Sequence, residues 1–217
     1  MKSFAGSVAV VLVLAAAAVK AEERRAIQWH VNAGYSFTSS TTADYLDDGW
    51  TLGFGASWRP DPDGPFAVRA DIHYSAYDGT SELVQTAEAA GRVQVDDGDA
   101  DIWGINFNGV YDVEFSPRVR GYGTAGLGWY YREVELQQTV LVGGVFCDPW
   151  WGFCYPGVTT GQAVVDETST TRFAWNVGVG VEFPLQDGSA WFIDARYHRI
   201  ETSEPTEFIP IQVGYRF

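Results

Sequence analysis

The sequence predicts an all-β fold, an eight-stranded antiparallel up-and-down barrel that crosses a membrane with its strands. Three observations predict it. Eight segments alternate apolar and polar residues with the period of two that a strand requires. The connections between them alternate between short and long. The apolar faces carry most of the tryptophan, while the opposite faces collect glycine and charge.

The first residues stand apart from that pattern. Lys2, the apolar run from Val8 to Val19 and the small-x-small sequence Val19-Lys20-Ala21 read as a secretory signal peptide over residues 1–21. The run is short of the roughly 20 apolar residues that span a bilayer as a helix. Residues 22–217 then form one domain, since no linker or shift of composition divides them. Loss of Lys2 and Lys20 takes the net charge from −14 to −16 and leaves arginine as the sole strong base. So acidic a chain is unsuited to nucleic acid or to a basic headgroup-binding patch.

The segments follow in order. In "AIQWHVNAGYSF", Ile27, Trp29, Val31, Ala33, Tyr35 and Phe37 share a face opposite Gln28, His30, Asn32, Gly34 and Ser36. "WTLGFGASWR" sets Trp50, Leu52, Phe54, Ala56 and Trp58 against Thr51, Gly53, Gly55, Ser57 and Arg59. Next come "FAVRADIHYSAY" at 66–77, "IWGINFNGVYDVEF" at 102–115 and "VRGYGTAGLGWYYR" at 119–132. "FAWNVGVGVEF" at 173–183 and "WFIDARYHRI" at 191–200 continue the series. The eighth, "FIPIQVGYRF", carries the alternation to Phe217. Each is near or above the ~9–11 residues of a tilted membrane strand.

Connections at 60–65, 116–118 and 184–189 are short and built from Pro, Asp, Gly and Ser, the residues of tight reversals. The others run 38–48, 78–100, 133–171 and 201–206, and three of these four are long. Short periplasmic turns on one rim and long extracellular loops on the other are the pattern of an outer-membrane barrel.

Alternation alone does not say which face points inward, and a secreted carrier barrel shows the same period. Volume decides. Eight strands leave an interior just wide enough to be filled by side chains. Trp29, Trp50, Trp58, Trp103, Trp129, Trp175 and Trp191 are too bulky for it, whereas faces such as Gly53-Gly55 and Gly178-Gly180 fit. The apolar faces therefore turn toward lipid, with tryptophan near strand ends as interfacial girdles.

The lumen then holds Arg59, Arg69, Arg120, Arg132, Arg196 and Arg216 with Asp71, Asp112, Glu114, Glu182 and Asp194. An ion-selective pore uses a ring of one sign, whereas near-balanced buried charges survive by pairing. The expectation is a paired network that plugs the lumen. Strand direction places Arg59, Asp112, Glu114, Arg120, Glu182 and Arg216 near the short-turn rim, and Arg69, Asp71, Asp194 and Arg196 at mid-barrel.

His30, His73 and His198 also fall on the inward face, and they read as members of a hydrogen-bonded interior. No catalytic, cofactor or metal site is expected. The Gly-x-Gly pairs lie within strands instead of opening helices, so they are not phosphate loops. "DDGDAD" at 96–101 lacks the spacing and closing Glu of a calcium loop and reads as a solvated tip.

In the longest connection, "VFCDPWWGFCYPGV" contains both cysteines. Export to an oxidising compartment favours a Cys147–Cys154 disulfide, worth roughly 2–3 kcal/mol by loop-closure entropy. It would clasp an apolar knob bearing Trp150, Trp151 and Phe153. Two readings stand: the knob packs over the barrel mouth, or it is a contact surface for an extracellular or envelope partner.

With these residues in hand, the chain resembles the small outer-membrane β-barrel superfamily that includes the OmpA transmembrane domain, OmpX and the opacity-type proteins. The resemblance rests on the signal peptide, "YGTAGLGWYY", "RYHRI" and "FIPIQVGYRF". It implies that the last strand pairs with the first, and that Val213, Tyr215 and Phe217 form the signal read by the outer-membrane assembly machinery. It also implies outer-membrane lipids and lipopolysaccharide as surroundings in a Gram-negative-type envelope. The expected role is non-enzymatic, structural or adhesive, through surface loops. A narrow channel for small or hydrophobic solutes, as in OmpW-like relatives, is the alternative. A lipid A-modifying enzyme is a lesser one, because the His-x-Ser of the deacylases is missing where Arg199 and Ile200 follow His198.

Overall fold

Alternating side chains give each strand one greasy face, and closing the sheet on itself pairs the strand edges within the barrel wall. In the computed structural model, which describes residues 27–61, 64–89, 96–147, 154–202 and 205–217, eight strands close into a barrel in sequence order. They are β1 (Ile27–Ser39), β2 (Gly49–Trp58), β3 (Phe66–Asp78), β4 (Asp97–Ser116), β5 (Val119–Cys147), β6 (Cys154–Pro184), β7 (Ala190–Ile200) and β8 (Thr206–Arg216). All neighbours are antiparallel, including the β1–β8 seam from His30↔Arg216 to Ser39↔Glu207. Phe217 extends that seam: its N–H donates to Trp29 O at 2.8 Å, and Trp29 N–H donates to Phe217 O at 3.0 Å. The expected signal peptide, residues 1–21, lies outside the described residues.

The aromatic faces point outward. Trp29, Trp50, Trp58, Trp103, Trp129 and Trp191 keep 44–54% of their surface exposed, whereas Arg69, Asp71, Asp194, Arg196 and Arg216 are buried inside. Glycine makes room for the interior. His30 faces Gly55 across the β1–β2 ladder, His73 faces Gly104, Tyr122 faces Gly180 and Phe192 faces Gly214. A Cβ on those glycines would stand 2.7 Å from His30 Nε2, 2.4 Å from His73 Cε1, 2.3 Å from Tyr122 Cζ and 2.2 Å from Phe192 Cζ. Large opposite absent is how so narrow a tube is filled without overpacking.

Several boundaries differ from the sequence reading. β4 begins at Asp97, so most of the expected acidic tip is strand, paired to β5 through Asp97↔Gln137 and Asp99↔Glu135. β5 and β6 do not stop at Arg132 and Phe173. They run on as one hairpin, with a bulge at Leu136/Gln137, until Cys147 faces Cys154. Residues 133–171 are therefore largely strand, not loop. Along the outer part of the hairpin the greasy-polar alternation fades, while β-branched Val and Thr keep their strand preference. Two connections expected as loops also contain helices, α1 (Thr42–Tyr45) and α2 (Ser81–Ala89). Thr80 Oγ1 accepts a hydrogen bond from Leu83 N–H at 3.4 Å at the start of α2, and α2 lays Leu83, Val84 and Ala87 against Leu136 of the hairpin.

Candidate functional site: a layered lumen and an extended hairpin

The interior is stacked in layers. At the short-turn end lies an open vestibule of about 380 Å³ lined by Gln28, Arg59, Asp112, Glu114, Arg120 and Glu182. Arg59 pairs with Asp112 at 2.6 Å, and Arg216 pairs with Glu182 at its inner wall. Arg120 stands in register with Glu114 on β4 and with Glu182 on β6. Glu114 itself is exposed.

The next layer brings charges from β3 and β7 together across the barrel axis. Asp71 accepts from Arg69 Nε at 2.7 Å, from Arg196 Nη1 at 3.0 Å and from Asn108 Nδ2 at 2.9 Å. Its Oδ1 also lies 2.7 Å from His30 Nε2. Asp194 accepts from Arg196 Nη2 at 2.7 Å and from the Tyr122 hydroxyl at 3.0 Å, with Arg69 Nη1 at 3.5 Å. Two guanidiniums thus share two carboxylates. Below them the Phe192 ring has Arg69 Cζ at 5.3 Å and Arg216 Cζ at 5.8 Å, a cation–π bridge to the vestibule pair.

Above the charges sits a neutral polar layer. The Tyr130 hydroxyl lies 2.8 Å from Asn106 Oδ1 and 2.5 Å from His198 Nδ1. Asn106 Nδ2 is 3.1 Å from His73 Nδ1, and His198 stacks flat on Phe208 at 5.0 Å between centroids. Over this layer comes an apolar seal of Leu46, Tyr77, Ala100, Ile102, Tyr130, Ala174, Ile200 and Phe208. The reading of a lumen face that is polar throughout missed this seal. Tyr77, Ile102, Tyr130, Ala174, Ile200 and Phe208 were visible only as single apolar residues on polar faces, and Leu46 and Ala100 fell in the expected connections. Arg132, grouped by sequence with the lumen charges, sits apart from both ion-pair layers and donates to Thr206 Oγ1 at 2.8 Å.

The second feature is the β5–β6 hairpin. β4 accompanies β5 only as far as Gln137, and β7 accompanies β6 only as far as Ala174. Beyond those points the two strands have each other, with Cys147 directly opposite Cys154. Trp150, Trp151 and Phe153, the expected knob, lie outside the described residues.

Residues 6–217 match the family model of the outer membrane protein beta-barrel domain. The chain belongs to this family. Among solved structures it is similar to Neisserial surface protein A, at 15% identity over 88% of this chain and 96% of that one, with a TM-score of 0.54. It is also similar to Ail, the attachment invasion locus protein of Yersinia pestis, at 12% identity over 88% and 98% with a TM-score of 0.45. OprG from Pseudomonas aeruginosa follows at 11% identity over 89% and 97% with a TM-score of 0.47. No curated protein matches the sequence. At these identities the likeness speaks for the fold alone.

The terminal strand of this outer-membrane barrel puts Val213 outward at 51% exposure, and Tyr215 packs between Trp191 at 5.0 Å and Phe217 at 6.4 Å between centroids. At the opposite end, Asp78, Asp99, Asp101, Glu133 and Glu135 line a pocket of about 200 Å³. Partial burial, then the carboxylates of Asp97, Asp78, Asp101 and Glu135, push Asp99 above the ordinary carboxylate range. A carboxyl held neutral more readily in the fold than in the unfolded chain costs stability as pH rises through its folded pKa. Asp99→Asn is therefore expected to raise the thermal midpoint of the detergent-solubilised barrel at neutral pH. The gain should vanish once pH falls below the carboxylate range; an equal gain at both pH values would refute the electrostatic account.

Proposed function

We propose that this outer-membrane barrel is a closed, non-enzymatic anchor that presents the β5–β6 hairpin as a surface-interaction element. The observation that carries the reading is the register, which runs unbroken in partner from the barrel wall at Arg120↔Glu182 to Cys147↔Cys154. A flexible loop of that length would lose much of any binding energy to ordering, whereas a ladder continuous with the barrel is already organised. Directly opposed residues in an antiparallel pair have Cα atoms about 4.5–5.5 Å apart, within the span of a disulfide. Among the described residues no cysteine is free, which supports a Cys147–Cys154 clasp at the hairpin end.

The lumen layers support closure. Charges that neutralise one another at mid-barrel and an apolar seal above them oppose the passage of hydrated ions. The three histidines contribute to this filling: His30 reaches Asp71, His73 reaches Asn106 and His198 reaches Tyr130. Outer-membrane lipids, lipopolysaccharide included, would surround the tryptophan girdles, and the assembly machinery would read Val213, Tyr215 and Phe217.

The test joins two measurements. A variant with residues 138–163 replaced by a tight turn should fold, shown by retained heat-modifiable migration, and its cells should lose binding to host cells or neighbouring bacteria. The purified barrel should be silent in a planar bilayer. Unchanged binding would defeat the interaction role, and stable conductance steps would put the narrow channel in place of the plug.

A further inference from the structure

The free edge of the hairpin identifies a partner more closely. We infer that β6 of one molecule pairs antiparallel, edge to edge, with β6 of a second copy standing on an opposing membrane. The inference rests on the surface-interaction reading and adds to it the partner and the mode of contact.

β6 has β5 on one side along its whole length, but β7 joins its other side only from Ala174. Glu201 N–H reaches Phe173 O. Among the described residues, 154–172 therefore have a single strand neighbour. Alternate residues of such an edge turn N–H and C=O outward, which is the template for strand addition. Proteins usually blunt an edge with proline, charge, a bulge or brevity. Here those devices bracket the edge instead of abolishing it. Pro156 stands at one end, and the bulge between the residues facing Leu136 and Gln137, with Asp166 and Glu167, stands at the other. Between them the window Gly157-Val-Thr-Thr-Gly-Gln-Ala-Val164 contains none.

The window selects its own copy. Antiparallel pairing about a two-fold axis at Gly161 sets Gly161 opposite its own copy, Thr160 opposite Gln162, Thr159 opposite Ala163 and Val158 opposite Val164. Pro156 and the bulge of each molecule then fall just outside the other's ladder. Charge points the same way. The chain carries a net −14, so two copies repel, yet Asp148 is the single charged residue between Glu135 and Asp166. The hairpin is where like molecules meet without that penalty. Copies in one membrane point their β6 strands the same way, so antiparallel pairing requires opposed membranes. The two-fold contact is isologous and closes at a pair, without propagating into fibres. A single short ladder is weak, but many copies on facing surfaces supply avidity.

The experiment uses the full barrel reconstituted in two dye-labelled populations of phosphatidylcholine vesicles, with clustering read by light scattering and two-colour coincidence. Wild-type vesicles should cluster with wild-type and not with empty vesicles. Thr160→Lys/Gln162→Lys vesicles should fall to the level of empty vesicles, because like charges then face each other across the ladder. Thr160→Glu/Gln162→Glu vesicles should do the same, and mixing the two variants should restore clustering. Heat-modifiable migration checks that each variant is folded. The inference is overturned if wild-type vesicles do not cluster, if they capture empty vesicles equally, if either charge variant clusters like wild type, or if mixing restores nothing. Loss of clustering with hairpin-dependent cell binding intact would remove the homophilic mode and leave the surface-interaction reading standing. Cell binding unaffected by removal of 138–163 would take both.

Discussion

Asp71→Ala is expected to destabilise the barrel by roughly 3–5 kcal/mol, the scale of removing one partner from a buried ion pair. Asp71 faces donors from four strands: Arg69 Nε at 2.7 Å, Arg196 Nη1 at 3.0 Å, Asn108 Nδ2 at 2.9 Å and the His30 ring at 2.7 Å. Without it, two buried guanidiniums have Asp194 alone between them. The cost comes less from lost attraction than from positive charge stranded out of water. Reversible urea unfolding in detergent micelles, followed by tryptophan fluorescence, measures it. The double variant Asp71→Ala/Arg196→Met should lose less than the sum of the two single variants, since removing both charges leaves neither stranded. A loss below about 1 kcal/mol for Asp71→Ala, or strict additivity in the double variant, would mean that the network does not hold the barrel as described.

Gly34→Val should prevent the barrel from closing. A Cβ at residue 34 would lie 2.0 Å from Ile211 O and 2.7 Å from Gln212 Cα, both main-chain atoms of β8. A side chain in the way could swing aside, but backbone can move only by parting β1 from β8. That seam joins the first strand to the last, and the ring closes only through it. The expected loss exceeds the roughly 1–3 kcal/mol of ordinary overpacking and should show as disappearance of the compact, heat-modifiable band after refolding. Gly123 supplies the control, because a Cβ there meets nothing within 4 Å. Gly123→Val should refold like wild type. Normal refolding of Gly34→Val would show that the seam tolerates what the geometry forbids.

The parity of each strand was legible from residue types. Trp29 and His30, or Trp191 and Phe192, are neighbours in the chain, yet one of each pair faces outward and the other is buried. A period of two fixes that division once any one residue is placed, and tryptophan volume places it. Pairing inside the lumen was not legible. Arg69 on β3 and Asp194 on β7 approach to 3.5 Å across the axis, and that meeting depends on the stagger of every intervening strand. Period-two alternation is a statement about one strand's two faces, so it carries no information on height across the barrel.

The apolar seal was hidden for the same reason. Ile102, Ala174, Ile200 and Phe208 come from β4, β6, β7 and β8, each a lone apolar residue in a polar row until closure brings them to one level. The hairpin was missed for a different reason. Its first strand reads QQTVLVGGVF from Gln137 to Phe146, without period-two alternation, so periodicity carried no strand signal there.

Residue order by itself determined the strand number, the antiparallel winding and which side chains turn toward the axis, because a bilayer punishes any other arrangement locally, residue by residue. Tertiary structure alone decided which charges meet, where the bore is sealed and how far β5 and β6 continue together. Those outcomes depend on relative strand heights, set by closure of the whole ring, and no single segment encodes them.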